Sequence, residues 1–171
     1  DDISYTFNEN NLKFNCTDGL HYVCSSKALM VFLEWFGFDL SKKAKEKIIP
    51  KRLFECSKEI ICSFLSGFFD GDGTASKRGG IAVTSASKEL IEQIRVLLNN
   101  IGILSSYYTG ITPPTKLCKV ESRYHTLEVG NYKMSNLFFD EIGFRLERKQ
   151  ERRKFIKIPT KKHSKDIIPF I

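Results

Sequence analysis

The 171-residue sequence lacks the features that would place it in a membrane, in an oxidising compartment or around a metal held by cysteine and histidine. Its longest nearly uncharged apolar stretch, residues 60–69, is too short to cross a bilayer, and the acidic N-terminus does not resemble a signal peptide. The five cysteines are odd in number and show no CxxC or Cys/His spacing. We therefore expect buried, reduced thiols, no membrane partner and an intracellular location, whether cytoplasm, nucleoid, nucleus or organelle.

Disorder is excluded as a description of the whole chain, since 42% of the residues are apolar and 14 are phenylalanine. The formal net charge of +7 is unevenly placed. Residues 1–144 contain 17 basic and 17 acidic side chains, whereas residues 145–171 contain 10 basic and 3 acidic ones. Such a basic block favours contact with nucleic acid or another anionic surface, and a solvated basic tail is the alternative.

Hydrophobic periodicity between residues 57 and 143 predicts the order helix, hairpin, helix, hairpin, helix. The predicted helices are 58–71, 88–98 and about 133–141, the first two with Ser57 and Ser87 as N-caps. The predicted strands lie near Thr74 and at 79–85, 105–109 and 124–129.

An internal repeat appears when each residue is aligned with the residue 106 positions later. The aligned pairs include Val23 with Val129, Lys27 with Lys133, Gly37 with Gly143 and Phe38 with Phe144. On this alignment residues 1–56 are the C-terminal part of a first repeat, 57–144 a complete second repeat and 145–171 a basic C-terminal segment. The opening helix of the first repeat would then precede Asp1.

One segment, residues 64–73 (FLSGFFDGDG), combines features that ordinary core helices do not combine. Gly67 and Gly71 stand four apart on one helix face, although glycine costs about 1 kcal/mol relative to alanine in a helix interior. Small residues at this spacing let two helix backbones approach closely, so we expect a helix seam there. Asp72 follows at the helix end, where the macrodipole disfavours a carboxylate, and we expect a cation to offset its charge. In isolation Asp-Gly is also common turn chemistry, and the later ligands of a calcium loop are missing.

This segment closely resembles the signature of the LAGLIDADG, or dodecapeptide, homing endonucleases. Lys47-Ile48-Ile49-Pro50 resembles the Lys-x-Ile-Pro element ahead of the second signature in endonucleases embedded in inteins, and residues 142–150 (IGFRLERKQ) resemble the element after the last strand. The resemblance implies an α+β fold of pseudo-twofold αββαββα repeats, whose antiparallel sheets form a DNA-binding saddle. Here the first repeat would be incomplete.

The resemblance also implies a site. Asp72, with Gly71 beside it, is the expected ligand of Mg²⁺ or another divalent cation, which would support two-metal phosphodiester hydrolysis. Lys47 and Lys149 are the expected lysines near the metals, where they would support the nucleophilic water and the charge on the phosphate. Asp70 is expected to be structural. The expected partner is double-stranded DNA, contacted by Lys77, Arg78, Thr84, Lys116, Lys119, Arg123, Arg148, Arg152 and Arg153.

The sequence departs from the family in carrying one signature where a complete site needs two. Either a segment with the first signature helix is removed or separate, or two chains pair their motifs, or the chain cannot cut. No splicing cysteine block or C-terminal His-Asn is present, and His163 is followed by serine. We expect a site-specific homing endonuclease, the endonuclease portion of an intein. The alternatives are a degenerate, maturase-like module that binds DNA or RNA without cleaving it, and a purely structural insertion.

Overall fold

The computed structural model describes residues 15–16, 22–77, 79–114 and 120–157, which fall into two compact units, residues 1–40 and 41–171. In the first unit, strands β1 (Asn15–Cys16) and β2 (Tyr22–Val23) pair antiparallel and helix α1 (Lys27–Phe36) follows. The Ser26 hydroxyl accepts the Leu29 N–H and so caps the start of α1. The predicted division at residues 56 and 57 concerns repeats, not compact units, and stays a prediction.

The second unit contains the predicted repeat. Its elements are α2 (Lys58–Gly71), β3 (Gly73–Ala75), β4 (Ile81–Ser85), α3 (Lys88–Ile101), β5 (Ser106–Thr112), β6 (Ser122–Val129) and α4 (Tyr132–Glu141). A short 3-10 helix, Lys51–Glu55, precedes them, and α5 (Glu147–Gln150) and a second 3-10 helix, Glu151–Phe155, follow. The αββαββα order predicted from the sequence is confirmed.

The four strands form one antiparallel sheet in the order β3-β4-β6-β5. Alternation along the strands buries one face, where Ile81, Val83, Leu127 and Val129 are at most 1% exposed. Helix α3 packs against this sheet at β4 and β6, and α2 contacts both α3 and β3. On the other sheet face Thr84, Ser106, Tyr108 and Glu128 are exposed, while Thr126 is buried.

Local sequence explains where α3 begins and ends. The Ser87 hydroxyl accepts the Leu90 N–H, which confirms the predicted N-cap. The helix runs three residues past its predicted end because the first residue to adopt a left-handed backbone is Gly102, with φ of 92°. At α2 the expected cap differs, since Ser57 precedes the helix but its side chain makes no capping hydrogen bond.

Aromatic packing joins the C-terminal half of α2 to the end of α4. The Phe69 and Phe138 ring centroids lie 4.9 Å apart, and the Phe144 ring lies 5.4 Å from Phe138 and 5.6 Å from Phe139. Burying a phenylalanine side chain contributes about 1.5–3 kcal/mol. This cluster therefore fixes residues 144–150 against the end of α2, where the candidate site lies. No helix in the described part of the chain is long and apolar enough to cross a membrane.

Candidate active site

Helix α2 has two apolar faces, of which one is covered. Ile61, Leu65 and Phe69 on one side are at most 7% exposed. On the other side Gly67 and Gly71 are exposed, and a Cβ built at either glycine would have no described atom within 4 Å. Ile60 on that side is 52% exposed. This side of α2 is therefore an open strip of small and apolar residues, and the helix seam expected there stays a prediction.

The third glycine of the motif has a different environment. A Cβ at Gly73 would lie 2.6 Å from the carbonyl oxygen of Phe69 and 2.9 Å from its Cα. The chain can pass from α2 into β3 this tightly only because residue 73 has no side chain.

Asp72 stands at the junction of α2 and β3. Its backbone N–H donates to the carbonyl oxygen of Phe68 at 2.9 Å, and its side chain is exposed. Among the residues that the structure describes, no cluster of three or more His, Cys, Asp or Glu side chains could hold a metal ion. Asp72 alone thus offers one carboxylate, a hard oxygen ligand of the kind that Mg²⁺ prefers.

The Asp70 side chain makes hydrogen bonds within the protein and so differs from that of Asp72. Its two carboxylate oxygens accept the backbone N–H groups of Arg145 at 3.0 Å and Leu146 at 3.3 Å. These contacts agree with the structural role expected for Asp70, because they tie the end of α2 to the start of α5.

Lys149 lies in a different place from that expected of a lysine that contacts water and phosphate. It is 7% exposed, and its Nζ donates to the carbonyl oxygens of Phe69 at 2.8 Å, Asp70 at 2.6 Å and Gly73 at 2.7 Å. Burial lowers the pKa of Lys149, Arg148 acts in the same direction, and the carboxylates of Asp70 and Asp72 oppose them. The Lys149 ammonium group thus lies at the carbonyl end of α2, where the macrodipole favours a cation, and the metal ion expected at Asp72 stays a prediction.

Lys47 is exposed, but its backbone is fixed. The Lys47 carbonyl accepts the hydroxyl of Ser87 at 2.7 Å, and the Ile49 N–H donates to Oε1 of Gln93 at 2.6 Å. The segment that resembles Lys-x-Ile-Pro is thus anchored to the first turns of α3, while its ammonium group faces solvent. The catalytic role of Lys47 stays a prediction.

Polar side chains line the sheet face opposite the core, and Thr84 is the one of them that was expected to contact DNA. The register places Thr84, Thr126 and Tyr108 in one row, with the Thr84 and Thr126 hydroxyls 2.8 Å apart. The next row contains Ala82, Glu128 and Ser106, and Glu128 is the charged residue of this face among the described strands. The alternation of Ser122, Tyr124, Thr126 and Glu128 along the sequence could have revealed this surface.

The predicted DNA contacts are scattered over several surfaces. Arg123 lies at the same strand parity as the buried Leu127, so it belongs to the face opposite Thr84. Lys77 is exposed in the turn between β3 and β4, and Arg148 is exposed on α5. Arg152 lies 5.7 Å from the Phe155 ring, and Arg153 pairs with Asp140 at 2.5 Å. Outside the described residues lie Arg78, Lys116 and Lys119.

Comparison with known proteins connects this geometry to a family. Residues 59–143 match the family described as LAGLIDADG-like domain. The fold is similar to that of the homing endonuclease I-DmoI in a study of its mesophilic variants, with a TM-score of 0.56, 15% identity and coverage of 82% of this chain and 69% of that one. A complex of I-DmoI with DNA and Mn gives a TM-score of 0.51 at 16% identity, covering 82% and 70% of the two chains.

Similar sequences occur inside much longer proteins. A probable translation initiation factor IF-2 from Thermococcus kodakarensis is 35% identical over 117 residues, which are 68% of this chain and 9% of that protein. A DNA polymerase from Thermococcus sp. (strain GE8) is 39% identical over 126 residues, 70% of this chain and 7% of the polymerase. The chain thus spans less than a tenth of the length of these curated relatives.

Proposed function

The chain belongs to the LAGLIDADG-like domain family, and we propose that it is part of a site-specific endonuclease that hydrolyses double-stranded DNA with Mg²⁺ or another divalent cation. One observation carries the proposal. A glycine-spaced helix with an open face ends at the exposed carboxylate of Asp72, directly before the edge strand of a sheet whose accessible face is polar. This combination joins a hydrolytic group to a surface that can lie on a duplex.

The described residues fit half of a metal site. Asp72 supplies one hard oxygen ligand, and a cation of this kind retains waters and binds phosphate oxygens as well. When bound, a divalent cation would lower the pKa of an attacking water and stabilise the leaving oxygen. A second carboxylate has to come from elsewhere, and the open strip around Gly67 and Gly71 is the surface on which a second signature helix would bring it. We propose that this helix lies on a segment outside residues 1–171.

The chain's own residues would bind and orient the duplex. The exposed Thr84 and Tyr108 side chains of this face can reach base edges, for which the major groove has room, while the buried Thr126 hydroxyl holds that of Thr84. Exposed basic side chains at Lys77 and Arg148 would contact phosphates. The exposed Lys47 is proposed to support the attacking water, as the resemblance implies.

The hosts of the similar sequences favour an inserted element. A translation initiation factor and a DNA polymerase have unrelated names, yet each matches this chain over less than a tenth of its length. A segment that recurs in unrelated proteins at such a small share of their length is typical of an insertion. We therefore propose that the chain is the endonuclease portion of an intein.

The test replaces Asp72 with asparagine in the full-length protein in which the chain occurs. The target is first found by in vitro selection from a random double-stranded library. Asp72→Asn keeps the size of the side chain but removes its charge, so metal-dependent cleavage should be lost while DNA binding stays measurable. Glu89→Gln, an exposed charge change in the first turn of α3, is the matched control and should cleave normally. Unchanged cleavage by Asp72→Asn would refute the assignment.

A second candidate is a binding module that no longer cleaves. The observation in its favour is that the described residues supply a single carboxylate and no metal cluster. The same experiment separates the two functions, because wild-type protein that binds selected DNA or RNA without cutting it in Mg²⁺ or Mn²⁺ would establish the binding module.

A further inference from the structure

We propose that Lys149 is a positioning residue, which holds the backbone on both sides of Asp72 and makes no contact with the substrate. The inference deepens the proposed function and rests on it for the role of Asp72. Its structural part, the interlock between the end of α2 and residues 144–150, stands on contacts within the described chain alone.

The Lys149 ammonium group is surrounded by backbone. Its three acceptors are the carbonyl oxygens of Phe69, Asp70 and Gly73, at 2.8, 2.6 and 2.7 Å. An ammonium group has three N–H donors, so these contacts use all of them. Since the side chain is also 7% exposed, no donor is left for a water or a phosphate oxygen.

The three acceptors bracket Asp72 along the chain. The carbonyls of Phe69 and Asp70 belong to the last turn of α2, where helix carbonyls run out of regular partners, and the Phe69 carbonyl also receives the Asp72 N–H. Gly73 contributes the carbonyl immediately beyond Asp72. One cation therefore determines the direction of the backbone before and after the residue that carries the candidate metal ligand.

A second set of hydrogen bonds runs in the same direction, from donors on residues 145–146 to an acceptor at the end of α2. The Asp70 carboxylate accepts the N–H groups of Arg145 and Leu146, while the Gln150 Oε1 accepts the N–H of Phe144 at 2.8 Å. The Lys149 Nζ also lies 5.7 Å from the centroid of the buried Phe144 ring. Residues 145–149 thus supply all the donors of this contact and the end of α2 supplies all the acceptors, with the Lys149 ammonium on one side and the Asp70 carboxylate on the other.

This arrangement separates a positioning lysine from a catalytic one. A lysine that touches the phosphate would leave the free protein unchanged when replaced, because its partner arrives only with substrate. Replacing Lys149 would instead release buried carbonyls around Asp72 before DNA or metal binds. The effect should therefore appear in the free protein and in the affinity for the cation.

The test compares Lys149→Met with the exposed control Lys88→Met in the full-length protein. Amide hydrogen exchange is measured without DNA or metal, followed by the Mg²⁺ concentration that gives half-maximal cleavage. We expect exchange at the Asp72 amide to quicken at least tenfold in Lys149→Met, with the Ile94 amide in the core of α3 unchanged, and the half-maximal Mg²⁺ concentration to rise several-fold. Lys88→Met should match wild type in both measurements.

Unchanged exchange at Asp72 together with lost cleavage would overturn the proposal, because Lys149 would then act on the substrate. Failure of the wild-type protein to cleave any DNA would overturn the proposed function but leave the exchange result to decide the interlock. If Lys149→Met does not fold, Asp70→Asn tests the same interlock from its other side, since an amide cannot accept both N–H groups as a carboxylate does. Unchanged exchange at Asp72 in that variant would also refute the inference.

Discussion

Replacing Gly67 with alanine should stabilise the 171-residue chain when it is studied alone. The residue lies inside α2, and a Cβ there would meet no described atom within 4 Å. Alanine gains about 1 kcal/mol over glycine in an exposed helix interior, because glycine loses more backbone entropy on folding. Gly73→Ala should do the reverse, since its Cβ would lie 2.6 Å from the Phe69 carbonyl oxygen. We expect that overpacking to cost about 1–3 kcal/mol.

The assay is urea unfolding followed by far-ultraviolet circular dichroism. A changed midpoint at a constant slope measures the change in free energy of unfolding. For a chain of this length about 1 kcal/mol corresponds to roughly 2–4 °C in Tm. Gly67→Ala and Gly73→Ala should therefore move the midpoint in opposite directions, although both replace a glycine of the same motif. A lower midpoint for Gly67→Ala would show that the strip is covered, which would refute the reasoning.

The same substitution should have the opposite effect in the full-length protein if a second helix packs on this strip. An added methyl group keeps two backbones apart, so Gly67→Ala should reduce cleavage while the isolated chain gains stability. Undiminished cleavage at higher stability would show that no helix approaches closely at Gly67.

Three further results are expected. Burial raises the pKa of the Cys62 thiol, with Lys58 opposing it, so less thiolate is present near pH 8. Iodoacetamide should therefore label Cys62 far more slowly in native protein than in urea, as measured by peptide mass spectrometry. Equal labelling rates would contradict the burial of this thiol. Phe138→Ala should lower the free energy of unfolding, measured by urea titration, by about 3–5 kcal/mol, because it leaves a cavity at the centre of the aromatic cluster. A loss below about 1 kcal/mol would contradict this packing. Glu128→Gln should change the base preferred at one position of the selected DNA site, because a carboxylate accepts a hydrogen bond from a base amino group. The expected discrimination between bases is about 1–3 kcal/mol. An unchanged preferred site would exclude this contact.

The sequence predicts the elements well because each has a local cause. The apolar spacing of α3 and its serine cap are both visible along the chain, and the same holds for the hairpin between β3 and β4. Which residues share a sheet face depends instead on register. Thr84 and Arg123 look equivalent as polar strand residues, yet the pairing of β4 with β6 puts them on opposite faces.

The interlock could not be predicted for a related reason. Lys149 is 76 to 80 residues away from its three acceptors, and no local pattern distinguishes it from its basic neighbours. The macrodipole favours a cation at the end of α2, but it does not distinguish a metal ion from a side chain, and the cation expected beside the Asp72 carboxylate stays a prediction. Burial explains the position of Lys149, because a charge that is only 7% exposed has to find most of its partners inside the protein.

The two aspartates of the motif show how a spacing of two residues assigns opposite roles. Two positions along an α-helix correspond to a rotation of about 200°, so side chains at residues 70 and 72 leave the end of α2 in nearly opposite directions. Asp70 turns toward residues 145–146 and is used up by their N–H groups, whereas Asp72 is exposed. The glycines divide in the same way, with Gly67 and Gly71 on the open strip and Gly73 against Phe69. Asp70 and Gly73 therefore pack against the rest of the protein, whereas Asp72 presents its carboxylate to solvent. A substitution at Asp70 or Gly73 should change the position of the candidate metal ligand although that ligand itself is unchanged.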